Sequence, residues 1–127
     1  MLARTARQRG VSAYLGDGAN RWPAVHRLDA AALVRLAIDH AAPGAVLHAV
    51  AEEGVATRDI AQALGTALGL PTVAVAAEHA AGHFGWLAAF YGADAPASST
   101  ATRTSLGWTP RQPTLLADIA AGHYPGD

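Results

Sequence analysis

Gly16-Asp17-Gly18-Ala19-Asn20-Arg21-Trp22-Pro23-Ala24-Val25-His26-Arg27-Leu28-Asp29 is the stretch on which the reading of this chain turns. Gly16-Asp17-Gly18 has turn chemistry, because glycine supplies positive φ and aspartate bonds its own backbone two residues on. Pro23 to Leu28 reads as a strand, and Asp29 as the N-cap of the alanine- and leucine-rich helix that follows. Pro23 has no N–H to donate, which limits that strand to a sheet edge or a strand entry.

Working outward, residues 2–9 predict a helix closed by Gly10, and Ser12–Leu15 predicts a short strand. That strand and Ala24–Leu28 are expected to form a small ribbon. A helix opening at the second residue has no N-cap of its own, so the chain reads as starting mid-architecture. From Asp29 to about Ala42, Leu33, Val34, Leu36, Ala37 and Ile38 form a stripe broad enough to want burial on more than one side, ended by Pro43-Gly44. Ala45–Ala51 is short and almost continuously apolar, which is how a buried parallel strand reads. Glu52-Glu53-Gly54 then predicts a turn, Thr57 a cap, and Ile60, Ala61, Leu64 and Leu68 a helix stopped by Gly69 and Pro71. With Thr72–Ala76 as the next strand, this makes a candidate β-α-β unit. Ala77 to about Tyr91 predicts a helix with Phe84, Leu87, Ala88 and Tyr91 on one face, weakened by Gly82 and Gly85. After a loop at Pro96, Ser98 or Ser99 caps a short helix ending at Leu106-Gly107, and Thr114–Ala121 predicts the last helix.

Two of these segments resemble the extended short-chain dehydrogenase/reductases, the NAD-dependent epimerase/dehydratase superfamily. The Gly-Asp-Gly turn leading to Val25-His26-Arg27-Leu28-Asp29 is one, and Leu106-Gly107-Trp108-Thr109-Pro110 before a terminal helix is the other. The resemblance runs from about Gly10 to Pro110 and corresponds to the later half of an intact family member. It implies an α/β, partial Rossmann-like fold with a two-strand ribbon, one or two parallel strands and about four to five helices. It also implies a single unit over residues 1–127, the substrate-binding half, with the dinucleotide-binding half lying upstream of residue 1.

The intact family uses NAD or NADP, held by a Gly-x-x-Gly-x-x-Gly strand-turn-helix, and a Tyr-x-x-x-Lys pair as acid/base and ribose grip. Neither pattern occurs here. Gly82 and Gly85 fall within a helix, and Gly16 and Gly18 have no third glycine or following helix. All nine basic residues are arginine, so none of Tyr14, Tyr91 and Tyr124 has a lysine partner. Arginine is a different tool at such a site, with its planar fork and very high pKa. The expectation is a chain that binds no cofactor and transfers no hydride alone, serving a small alcohol, ketone or sugar in the intact family. The rival reading is a stand-alone, non-enzymatic module that binds a small molecule or another protein.

The substrate-side candidates are Arg21, Trp22 and His26. In nucleotide-sugar epimerases an arginine four residues before the histidine meets the substrate phosphates. Arg21 lies five before His26, so strand alternation turns it to the other side unless Pro23 or a bulge restores the phase. Trp22 reads as a pocket wall or as core, and His26 and Asp29 as structural residues opening the helix. His79 and His83 are spaced i, i+4, but Ala80 stands where His-Glu-x-x-His needs glutamate, and Glu78 could join them only from an awkward neighbouring face, so no metal site is expected. Ser98, Ser99 and Ser105 lie in capping contexts without a nucleophile turn.

Composition narrows the partners. The chain is 51% hydrophobic and 15% charged with a net charge of −1, which favours a folded domain and neither nucleic acid nor an anionic membrane. It has no cysteine, which fits a cytoplasmic protein. Arg4, Arg7 and Arg9 give the opening a transit-like composition, against the plainer reading of a helix's last turns. An unpaired Ala45–Ala51 edge would favour self-association or pairing with a complementary Rossmann half.

Overall fold

The computed structural model describes residues 1–124 as an α/β unit with two small sheets and helices around them. Helix α1 (Leu2–Arg9) leads into strand β1 (Ser12–Leu15), followed by β2 (Arg21–Ala24) and α2 (Arg27–His40). Strand β3 (Glu52–Ala56), α3 (Thr57–Leu68) and β4 (Thr72–Val75) come next. A broken helix over residues 77–91 contains α4 (Ala80–Phe84) and α5 (Ala88–Tyr91), joined by 3-10 turns, and α6 (Thr100–Leu106) and α7 (Leu115–Ala120) complete the order. Counting residues 77–91 once, there are six helical units among the described residues. No described helix is long and apolar enough to cross a membrane.

β1 runs parallel to β4, in register from Ser12 opposite Thr72 to Leu15 opposite Val75. A parallel pair needs a long crossover. α3 completes it and packs on β1, where the buried Ser12 hydroxyl donates to the Ala61 carbonyl at 2.7 Å. The ribbon is the antiparallel pair β2–β3 rather than the expected pairing of residues 12–15 with 24–28. The apolar run at 45–51 is not a strand, and the strand forms at Glu52–Ala56, where a turn was expected. The 45–51 backbone is instead held by side chains of the α6 region. Thr102 accepts from the His48 N–H at 2.8 Å, and Arg103 donates to the Ala51 carbonyl at 3.0 Å.

Two apolar clusters hold these elements. In one, Ala3, Val55, Ile60, Leu64 and Ile119 join α1, β3, α3 and α7. In the other, Ala13, Ala80, Phe84, Leu87 and Tyr91 pack the broken helix on the parallel pair. Leu2 touches both, so α1 is packed into the core. The break in residues 77–91 falls at Gly85, whose φ of 60° and ψ of −137° leave the helical region.

Asp29 is not the N-cap of α2. His26 is, its Nδ1 accepting from the Leu28 N–H at 3.2 Å. The buried Asp29 carboxylate accepts from the N–H groups of Arg111 and Gln112, each at 3.0 Å, while its carbonyl accepts from the Trp108 indole at 3.0 Å. The two motifs that carried the resemblance are thus each other's structural partners. Ala56 is the N-cap of α3 in place of Thr57, whose fully buried hydroxyl donates to Asn20 Oδ1 at 2.7 Å. The broad stripe of α2 is buried on one side only. Leu33 is buried, whereas Val34 is 59% and Ile38 80% exposed.

Candidate functional site

The first turn sets the geometry of the candidate residues. Asp17 Oδ1 accepts from the Ala19 N–H at 3.0 Å, and Gly18 takes φ 66°. A Cβ at Gly18 would lie 2.5 Å from Arg58 Cβ and 2.7 Å from Tyr14 Cδ2, so a side chain has neither the conformation nor the space. Asn20 then acts as a hub. Its amide donates to the Tyr91 carbonyl at 2.8 Å, tying the start of β2 to the end of the broken helix.

Along β2 exposure alternates, with Arg21 and Pro23 outward and Trp22 and Ala24 half-buried. The pairing slips between Trp22 and Ala24, which sit opposite Val55 and Glu52. The extra residue therefore belongs to β3, and the alternation within β2 is unbroken. Arg21 stays on the face opposite Trp22.

Arg21 is clamped by Asp94 through paired hydrogen bonds, Nε to Oδ1 at 3.1 Å and Nη2 to Oδ2 at 3.0 Å. The Arg21 backbone N–H also donates to Asp94 Oδ1 at 2.7 Å. The guanidinium hydrogen bonds hold the Asp94 carboxyl below its ordinary range. Trp22 meets Tyr91 edge-on, ring centroids 5.2 Å apart, and Tyr91 packs in turn on Phe84 at 4.4 Å. His26, half-buried, borders a small cleft with Val25, Pro113, Leu115, Asp118 and Tyr124. The three candidates are thus held by three different partners.

Two of the tyrosines, Tyr91 and Tyr124, are committed to contacts within the fold. Tyr91 is 1% exposed, donates to the Ala13 carbonyl at 3.0 Å, and is pushed up to about 12 by burial. Tyr124 donates to Asp118 Oδ2 at 2.8 Å, and His123 Nδ1 meets Asp118 Oδ1 at 2.6 Å. These contacts hold the Asp118 carboxyl below its ordinary range, His123 contributing most. Among the described residues, no three histidine, aspartate or glutamate side chains converge as metal ligands. Among the described residues the glycines build no Gly-x-x-Gly-x-x-Gly cradle between a strand and a helix, since Gly16 and Gly18 turn into a strand and Gly85 interrupts a helix.

Asp94 and Asn20 were missed in the sequence. Asp94 lies 73 residues from Arg21 with no local pattern to announce it. Asn20, beside the Gly-Asp-Gly turn, carried a usable signal, because asparagine there bonds backbone readily.

With this geometry in hand, comparison places the fold among those of Rossmann-type NAD(P)-binding enzymes. DesIV, a dTDP-glucose 4,6-dehydratase from Streptomyces venezuelae solved with NAD bound, superposes with a TM-score of 0.67 at 20% identity, over 95% of this chain and 35% of that one. RMD from Pseudomonas aeruginosa, complexed with NADPH, gives 0.62 at 16% identity, over 94% and 38%. Both are members of the NAD-dependent epimerase/dehydratase superfamily. An uncharacterized protein of Schizosaccharomyces pombe is 47% identical over 124 residues, 98% of this chain and 42% of that protein. An uncharacterized protein of Saccharomyces cerevisiae is 43% identical over 123 residues, 97% and 41%. The chain therefore spans about two fifths of the curated relatives it matches. No family model matches it.

Proposed function

We propose that this chain is the substrate-side portion of an NAD(P)-dependent oxidoreductase or epimerase and transfers no hydride by itself. The observation that carries the reading is the superposition of 95% of the chain on 35% of an NAD-bound dehydratase. The sequence contains no lysine to complete Tyr-x-x-x-Lys, and the buried Tyr91 hydroxyl, raised and donated to a carbonyl, is the opposite of an activated phenol. NAD or NADP belongs to residues outside this chain, on a complementary Rossmann half.

Arg21, Trp22 and His26 are the substrate-side residues of this reading, with Arg21 on the outward face of β2 and Trp22 on the opposite one. Arg21 contributes the guanidinium nitrogen left outside its paired bonds to Asp94, Trp22 an apolar edge, and His26 its Nε2. With its charge matched by Asp94, Arg21 is poorly suited to a pyrophosphate, which favours a small alcohol, ketone or uncharged sugar over a nucleotide sugar.

The intact fission-yeast relative tests this when assayed for NAD(P)H oxidation against a panel of small aldehydes, ketones and sugars, beside this chain alone. Activity in the relative and none in the chain is expected. A relative that binds neither nucleotide, or a chain that binds one at micromolar levels alone, overturns the reading. A stand-alone binding module is the second reading, favoured by one observation. Among the described residues every buried side-chain polar atom already has a partner.

A further inference from the structure

We infer that the outward face of α2 is the surface on which the part of the longer polypeptide beyond this chain docks, an inference that rests on the reading just proposed. At about 100° per helical residue, Ala31, Val34 and Ile38 fall on one stripe, at i, i+3 and i+7, with Leu28 at its start and the buried Leu33 on the far side. Leu28 is 55%, Val34 59% and Ile38 80% exposed, an apolar row where a finished helix presents polar groups. The exposure continues in the next segment, where Val46 is 84% exposed within the apolar run at 45–51.

This run has the composition of a buried strand, yet side chains of α6 and of its N-cap Ser99 hold it at His48, Val50 and Ala51. One stretch of the chain, residues 28–46, therefore carries four of the large apolar side chains most open to water. Their cover is supplied by length. The matched relatives are more than twice as long as this chain, and more than half of each lies outside the match. The occupant is that remaining part, laid on α2 and beside residues 45–49.

The test co-expresses this chain with the segment of the fission-yeast relative that lies outside the matched residues and measures the fraction co-purified. Wild-type chain is expected to retain the segment in equal amounts. The double variant Val34→Asp/Ile38→Asp is expected to lose at least tenfold, with its circular dichroism and melting unchanged. Trp86→Ser/Phe90→Ser, which alters an exposed aromatic pair on the broken helix, should retain it as wild type does. Because the chain has no cysteine, Ile38→Cys gives a single thiol, expected to label at least tenfold more slowly in the complex.

Equal retention by wild type and the aspartate variant overturns the docking face while leaving the proposed function standing. No retention by wild type also overturns it, as does a homodimer of the chain that the aspartate variant dissolves. Nucleotide binding by the isolated chain strikes instead at the function reading.

Discussion

Residues 27–50 and residues 52–91 are both rich in apolar side chains, yet the second stretch buries far more of them, Trp86 and Phe90 being its large exposed ones. Ile60, Ala61, Leu64, Phe84, Leu87 and Tyr91 all sink into the two clusters, because α3 and the broken helix each have a strand or helix of this chain to lean on. In α2 Leu33 is buried and Leu36 and Ala37 are half-buried, whereas Val34 and Ile38 stay exposed. The difference lies in the partner available and not in hydrophobicity. Full burial of an exposed side chain of that size contributes about 1.5–3 kcal/mol, so covering the open parts of Val34 and Ile38 would add a part of that at each.

Substitutions can break this contrast, and the largest effect belongs to the cluster side. Tyr91→Ala removes a ring packed on Trp22 and Phe84 and is expected to cost about 3–5 kcal/mol, read as a lower urea midpoint. Gly18→Val forces a side chain into positive φ and against Arg58 and Tyr14, with an expected loss of about 3 kcal/mol in the same assay. Asp29→Ala strips the N–H groups of Arg111 and Gln112 of their acceptor, for about 1–3 kcal/mol. Val34→Asp with Ile38→Asp should change the isolated chain by no more than about 0.5 kcal/mol per site. A large loss there would mean that α2 is already covered and would erase the contrast.

Acid probes α7, where Asp118 meets His123 and Tyr124. The Asp118 carboxyl is lower when folded than when unfolded, so it stabilises the fold above the ordinary carboxylate range. That contribution fades as pH falls through its folded value. Asp118→Asn should flatten the stability profile below about pH 4, the ordinary carboxylate range. An unchanged profile would remove Asp118 from the account.

What was legible in the sequence follows the range of the forces. The turn at 16–18, α1, strands β1 and β4 and the span of α3 rest on chemistry within a few residues and stand as read, whereas Ala56 and not Thr57 caps α3, Thr114 caps α7 instead of opening it, and the helix read over 77–91 breaks at Gly85. Strand partners were less legible. Ser12–Leu15 finds Thr72–Val75 across the crossover, and Arg21–Ala24 finds Glu52–Ala56. The run at 45–51 has a strand's composition, but a strand is completed by a neighbour, and α6 offers it side chains instead. At the candidate site Arg21 was visible and Asp94 was not, since a clamp closed over 73 residues leaves no spacing to find.

The Asp29 joint also bears on how the chain is made. A ribosome delivers α2 long before Trp108, Arg111 and Gln112, so during synthesis the helix carries a carboxylate whose eventual N–H partners do not yet exist. The nascent chain is held short of its final form until that late segment emerges and closes the joint.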